Sequence, residues 1–397
     1  MTDIKTAWKA IKEEKGDFTP QYYDIKDQHG KRVPMSKKAQ AIAEYLRDKQ
    51  WSHNERNPPS PIDSDKRKLL NDLVFNTRDI TEAEVRWAIG KMKKGKAPGP
   101  DEVTIDIFKY LNDGNMKELS VIINNMWTNK TTPPKFSQAN VASLYKKGDH
   151  ANPENYRPIS LLNTTFKIYT NILHHRISNT LDKHLGELQF GFRKGKSTSD
   201  PTYCVRRLQD IAEQGNDKLV LIFLDWEKAF DKIHHEKMFQ ALERLDIHSD
   251  IIDAIKSIYS NPLFRVTSGE HSSEWMKQNS GIRQGCPLSP YLFILTMHVL
   301  FEDVNYNMRD PNSNHNSTSR ILILNNYYMR MTHFLSRRAL TLHKNCFTSL
   351  KKNLRAMDLC PIRKMRPPKI QLHGIYQISR RDQNEHRRTP SLPRHRD

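Results

Sequence analysis

The stretch that most constrains this chain is Leu219 to Asp231, reading Leu-Val-Leu-Ile-Phe-Leu-Asp-Trp-Glu-Lys-Ala-Phe-Asp. A short apolar run ends in a carboxylate, Asp225, and a second aspartate, Asp231, follows six residues on. Apolar runs of this length read as strands buried on both faces. A carboxylate at such a strand's end is costly to bury unless a cation or a donor satisfies it. Two readings stand for the stretch by itself: a hard-metal site at the edge of a sheet, or a strand that ends in a polar turn.

The chain of 397 residues is long enough for two or three subdomains and a sizeable core. Its hydrophobic fraction of 37% lies below the roughly 45–50% usual for globular domains, so part of it departs from a normal folding unit. The net charge is +19, and it is unevenly spread. From Tyr327 to the end there are 17 Lys and Arg against 4 Asp and Glu, so most of the excess sits in the last fifth. Such a charge suits a nucleic-acid partner. No apolar run approaches the roughly 18 residues of a membrane helix, and the charged Met1–Gly16 lacks the apolar centre of a signal peptide. Cys204, Cys286, Cys346 and Cys360 show no paired metal spacing. Free thiols, an intracellular setting in nucleus or cytoplasm, no membrane and no disulfide-linked partner are expected.

Residues 1–62 carry two modest helical patterns, Ile4–Glu14 and Lys37–Lys49 with Ser36 as a candidate N-cap, and read as a linker-like lead-in broken by Asn57-Pro-Pro-Ser-Pro61. Thr81 and Glu84 have capping-box spacing ahead of a stripe of Val85, Ala88, Ile89 and Met92, which predicts a helix to Lys94. The cationic loop Lys93–Asp101 follows. Helices near Ile105–Leu111 and Met116–Trp127 precede a strand, Ala139–Leu144. Just beyond it Lys146 and Lys147 are placed either to hold phosphates or to face solvent in a β-turn. Asn155–Asn163 opens a long helix to about Lys183. Gln189–Thr198, with Arg193, Lys194 and Lys196, has a phosphate loop's composition, but its spacing misses the P-loop pattern, which disfavours nucleotide-hydrolase chemistry. A helix is predicted over Asp200–Gln214. After the opening stretch come helices near His235–Leu245 and Ile251–Tyr259, and strands near Phe264–Thr267 and Glu274–Gln278. The turn-rich loop Ser280–Pro290 then launches an apolar helix, Tyr291–Phe301.

Five of these segments, Lys94–Asp101, Leu144–Asn163, Gln189–Thr198, Phe223–Asp231 and Ser280–Pro290, stand in the order and spacing of the reverse transcriptases of non-LTR (LINE-type) retrotransposons. The resemblance covers roughly residues 80–305. It implies an α/β right-hand polymerase, with fingers and connecting helices over 63–218 and a partial palm, an antiparallel sheet with packed helices, over 219–326. The thumb and the upstream endonuclease of intact elements are not found in this stretch. The implied partners are an RNA template, a DNA primer and dNTPs, and the implied cofactor is a pair of Mg²⁺ ions. Such ions need hard carboxylate ligands. By resemblance, Asp225 is a catalytic metal ligand and the Trp226 carbonyl adds an oxygen. Lys146, with Lys147 as the alternative, and Arg157 grip the triphosphate. Phe230 blocks a ribose 2′-hydroxyl, or is simply a buried aromatic. Gln284 and Gly285 contact the nascent base pair. Asp231 is weighted toward a structural role. Lys94, Lys96, Lys147, Arg193, Lys194, Lys196 and Arg283 are the candidate nucleic-acid contacts, with Arg283 equally readable as a surface charge. His234 and His235 have no family role and are expected to face solvent.

The pattern then breaks. The family's next motif, a hairpin carrying Tyr-Ala-Asp-Asp, belongs near residue 328, where the chain reads Ile321-Leu-Ile-Leu-Asn-Asn-Tyr-Tyr-Met-Arg-Met-Thr-His333. No acidic residue occurs between Asp310 and Asp358. Regrouping codons to begin at each third base yields Tyr-Ala-Asp-Asp across Tyr328–Thr332 if Tyr328 is TAT and Arg330 is CGG. A frameshift between about Leu324 and Tyr328 is therefore expected, with 327–397 a basic, out-of-frame, disordered tail. Three functional readings follow: a reverse transcriptase by descent that is catalytically dead, a non-enzymatic nucleic-acid-binding remnant, and an RNA-templated RNA polymerase, against which Phe230 argues.

Overall fold

The computed structural model describes residues 24–52, 67–215, 220–225, 228–308, 323–325 and 330–335. Residues 24–52 are a folded unit rather than a lead-in. The short strands β1 (Ile25–Lys26) and β2 (Arg32–Val33) pair antiparallel ahead of helix α1 (Met35–Tyr45), which continues as a π-helical turn over Leu46–Gln50. Pro34 is the N-cap, and Ser36, the expected cap, lies inside the helix. The apolar side of α1 requires a partner, since a lone amphipathic helix is marginal in water. Ala39, Ile42, Ala43, Leu46 and Trp51 form a buried cluster with Val141, Phe264, Val266 and Met276.

The next layer is helical. Thr81 starts α2 (Glu82–Lys91): its hydroxyl accepts from the Glu84 amide while the Glu84 carboxylate accepts from the Thr81 amide, a complete capping box. Val85, Ala88 and Ile89 are buried, as the stripe predicts. Helices α3 (Ile105–Lys109) and α4 (Asp113–Thr128) follow. Strands β3 (Ala139–Tyr145) and β4 (Tyr156–Leu162) then form an antiparallel hairpin, and α5 (Thr164–Leu181) leads out of it. Residues 156–162 are thus a strand and not the start of a helix. Pro158 is tolerated there because β4 is the edge of its sheet, where a missing N–H breaks no ladder.

Helix α6 (Ser199–Gln214) precedes β5 (Val220–Asp225), the strand that ends in the conspicuous carboxylate. Helices α7 (His235–Arg244) and α8 (Ser249–Tyr259) come next, then β6 (Leu263–Ser268), β7 (His271–Ser272), β8 (Met276–Lys277) and the long apolar α9 (Ser289–Met308). β6 runs parallel to β3, giving a mixed five-stranded sheet in the order β4-β3-β6-β7 with β8 also on β6. A second sheet, β5-β10-β9, uses β9 (Ile323–Asn325) and β10 (Arg330–Leu335). Residues 330–335, read from sequence as part of an unstructured tail, therefore pair as a strand with β5. The main core joins α2, α4, α5, α7, α8 and α9. Among the described residues no helix is long and apolar enough to cross a membrane, and Cys204 and Cys286 are free thiols.

Candidate nucleotide and nucleic-acid site

Two cations meet on the β3–β4 hairpin. Arg157 stands opposite Leu144 in the ladder, and the Lys146 amide donates to the Asn155 carbonyl at 2.9 Å, which extends the ladder one residue past β3. With a side-chain period of two, Lys146 and Arg157 are diagonal neighbours on one face, and Lys147 lies in the bend that follows. Both Lys146 and Arg157 are exposed, as cations for an anionic ligand need to be.

The loop Ser280–Pro290 crosses this hairpin. The Ser160 amide donates to the Gln284 carbonyl at 2.7 Å, and at Gly285, with φ +136°, an added Cβ would lie 2.3 Å from the Ser160 carbonyl oxygen. Only glycine permits that approach and that backbone. On its other side the loop is laced to the segment after β5: the Gly281 amide donates to the Ile233 carbonyl and the Ile282 amide to the Phe230 carbonyl. Gln284 and Gly285 thus bridge β4 and the 228–233 turn.

That turn contains Asp231, 3% exposed. Its carboxylate accepts from Trp51 Nε1 at 2.9 Å and from Gln284 Nε2 at 3.2 and 3.1 Å. Burial pushes the Asp231 pKa up, and the hydrogen bonds from Trp51 and Gln284 offset this only partly. A carboxylate engaged this way is structural, in line with the weight given to it from sequence. Phe230 is half-buried, stacked on Phe293 at 5.1 Å and edge-on to Phe192 at 6.0 Å, so its ring belongs to the core margin. Lys228, in the left-handed region at φ +51°, donates to the Tyr45 hydroxyl at 2.8 Å and to Glu154 at 3.3 Å. Burial works against its ammonium, but Tyr45 and Glu154 outweigh it and hold the pKa above the ordinary lysine value.

Three expectations are corrected. Arg283, expected among the nucleic-acid contacts or at the surface, is 1% exposed. Burial lowers its pKa to about 10, its Nη2 donates to the Leu263 carbonyl at 3.4 Å, and its Nη1 meets no acceptor among the described residues. Arg193 is turned inward: it donates to the Asp182 carboxylate and to the carbonyls of Asp182, Gly186 and Gln189, which ties the Gln189–Thr198 loop to the end of α5. His235 does not face solvent freely, since its Nε2 donates to the Gly281 carbonyl at 2.8 Å and its ring lies against Tyr259.

Lys94, Lys96, Lys147, Lys194 and Lys196 are exposed. Lys94 lies over the Tyr110 ring at 4.5 Å and donates to its hydroxyl at 2.9 Å. The loop after Lys94 is anchored at Gly99, where a Cβ would lie 2.3 Å from the Asn163 amide nitrogen. Trp226 lies outside the described residues. For Asp225 the backbone pairing is described, and it sets Arg330 directly opposite. Among the described residues no group of three His, Cys, Asp or Glu could hold a metal, and β10 reads Arg-Met-Thr-His-Phe-Leu. Local sequence carried no signal for Trp51, Tyr45 or Ser160, whose roles arise only from chain segments far apart.

The family described as reverse transcriptase (RNA-dependent DNA polymerase) matches residues 145–357. An uncharacterized 149 kDa protein of transposon TX1 from Xenopus laevis is 28% identical over 218 residues, 55% of this chain. A probable RNA-directed DNA polymerase from transposon BS of Drosophila melanogaster is 27% identical over 239 residues, 59% of the chain. The RNA-directed DNA polymerase from mobile element jockey of the same organism is 27% identical over 217 residues, 54% of the chain. The matches span only 17%, 26% and 24% of the lengths of these three relatives.

Proposed function

The chain belongs to the reverse transcriptases of non-LTR retrotransposons, and on that premise we propose that it keeps the family's nucleotide and nucleic-acid framework while having lost RNA-directed DNA polymerase activity. In this reading β3, β4 and α2–α6 are fingers and connecting helices, and β5, β9 and β10 with α7–α9 are the partial palm. Lys146 and Arg157 grip a dNTP triphosphate through charge-assisted contacts. The Gly285 backbone, pressed on Ser160, is where a nascent base pair approaches. Lys94, Lys96, Lys147, Lys194 and Lys196 meet the phosphates of an RNA template and a DNA primer.

One observation carries the loss of activity. The strand that pairs with β5 offers an arginine, not a carboxylate, opposite Asp225. The family generally uses divalent metal ions, Mg²⁺ in this reading. Removal of a carboxylate from a two-metal site takes away much of the charge compensation at the reacting phosphate, and each ~1.4 kcal/mol lost is about tenfold in rate. A frameshift near Leu324–Tyr328 accounts for the residues present, and TAT at Tyr328 with CGG at Arg330 in the gene is its direct test. Any other codon at either position removes that explanation. The experiment for function is Mg²⁺-dependent primer extension on an RNA template, compared between the chain and Asp225→Ala. The expected result is no Asp225-dependent product, with RNA binding retained. A purely nucleic-acid-binding role is the second reading, supported by the exposed lysines.

A further inference from the structure

Residues 24–52 precede the segment matched by the family, 145–357, yet they reach into its centre at three places. The Tyr45 hydroxyl accepts from Lys228, the Lys49 carbonyl accepts from Lys232 Nζ at 3.4 Å, and Trp51 Nε1 donates to Asp231. All three partners lie in the turn that follows β5. Trp51 is 1% exposed, with its ring edge-on to Phe264 at 4.6 Å and 85°, so packing restricts the direction of its N–H.

What the third contact accomplishes follows from donor and acceptor chemistry. An ionised carboxylate only accepts, so each side chain that hydrogen-bonds to Asp231 must present a donor hydrogen to it. Trp51 does so with its single indole proton. Gln284 does so with its amide nitrogen, which lies 3.2 and 3.1 Å from the two Asp231 oxygens. The Gln284 amide is thereby oriented: its nitrogen is committed to the buried acid, and its Oε1 is the end left for a ligand. The Gln284 backbone is pinned separately, through its carbonyl to the Ser160 amide at 2.7 Å. Side-chain orientation therefore depends on where the Asp231 carboxylate sits, and the Trp51 N–H, with a weaker side-chain hydrogen bond from Gln50, helps to hold it there. Removal of that donor leaves a buried charge with one partner fewer, the situation in which a carboxylate shifts or takes up a proton. A protonated Asp231 can donate, and it then no longer dictates which end of the Gln284 amide it meets.

We propose that Trp51 is a positioning residue: acting through Asp231, it fixes the Gln284 amide with Oε1 presented as an acceptor to the primer–template duplex. The proposal rests on the reading of Gln284 as a contact to the nascent base pair.

The test uses the full chain and a recessed RNA–DNA primer–template, with affinity read by fluorescence anisotropy over a range of salt. Trp51→Phe keeps an aromatic ring beside Phe264 and removes the indole donor together with part of the ring. Gln284→Ala weakens binding about fivefold, the size of one net hydrogen bond. Trp51→Phe weakens it by the same factor, and the double variant is no weaker than either single one. The salt slope stays unchanged in all three, because no phosphate contact is removed. Asp231→Asn, which cannot accept from both N–H groups with the same pair of oxygens, reproduces the loss, and circular dichroism reports whether each variant is folded. If Gln284→Ala weakens binding while Trp51→Phe and Asp231→Asn do not, or if the effects multiply in the double variant, the positioning role is overturned. If Gln284→Ala itself binds as the unaltered chain does, the reading of Gln284 as a nucleic-acid contact fails, and the proposal fails with it.

Discussion

Arg330 stands directly opposite Asp225 in the antiparallel pair of β10 and β5, at the end of a register that runs from Leu335 against Val220. Opposite positions in such a pair are close neighbours. An arginine, not a carboxylate, therefore occupies the register position across from Asp225. The consequence is measurable without any catalysis. A ligand that binds only the folded state stabilises it by about 2.7 kcal/mol at a hundredfold excess over its Kd. Millimolar Mg²⁺ is expected to leave the melting temperature of this chain unchanged, and Asp225→Ala is expected to make no difference to that result. Calorimetry with and without Mg²⁺ checks it.

The site's cations divide into those that face outward and those the fold consumes. Lys96→Ala and Lys194→Ala are each expected to lower the slope of log affinity against log salt by about 1 on an RNA–DNA duplex, since each removes one phosphate contact. Arg193→Ala is expected to leave the slope alone and to lower thermal stability, because Arg193 is spent on Asp182 and three carbonyls. Anisotropy titrations at several salt concentrations separate the two classes.

Two glycines give opposite expectations for the same substitution. Gly285→Ala forces a Cβ to 2.3 Å from the Ser160 carbonyl and a strained φ, so it destabilises by about 2 kcal/mol or more. Gly90, in the exposed face of α2, has nothing within 4 Å of an added Cβ. Gly90→Ala is expected to stabilise by about 0.5–1 kcal/mol through helix propensity alone. Urea denaturation of both variants decides.

The capping box of α2 is also one half of a buried ion pair. Arg176 donates from Nε to Glu84 Oε1 at 2.8 Å and from Nη2 to Oε2 at 2.9 Å, and from Nη1 to the Arg78 carbonyl at 2.8 Å. Removal of one partner leaves an uncompensated charge, and Arg176→Met is expected to cost about 3–5 kcal/mol. Burial alone would raise the Glu84 pKa, but the bonds from Arg176 and Thr81 outweigh it and the net shift is downward from 4.5. A depressed carboxylate contributes stability that is present above its unfolded pKa and lost as pH falls through the folded one. Urea midpoints of the unaltered chain should fall more steeply below about pH 4.5 than those of Glu84→Gln.

Local signals in the sequence were legible, and non-local ones were not. The α2 capping box needs only Thr81 and Glu84 three residues apart, and its stripe needs only a helical period. The strand character of Tyr156–Leu162 was hidden by Pro158, which is acceptable only because topology puts β4 at a sheet edge. Arg283 and Arg193 are indistinguishable in sequence from surface cations, since their burial depends on which carbonyls the fold brings around them. Trp51 reaches Asp231 across 180 residues of chain, a pairing that no periodicity or spacing encodes. The motif order carried the family, while the side-chain geometry of the site emerged only from packing.

The claim that this chain is a reverse transcriptase without its activity is tested most directly by primer extension on an RNA template with Mg²⁺ and dNTPs. The account predicts that the unaltered chain and Asp225→Ala yield the same absence of product. Extension by the unaltered chain that Asp225→Ala abolishes would contradict it.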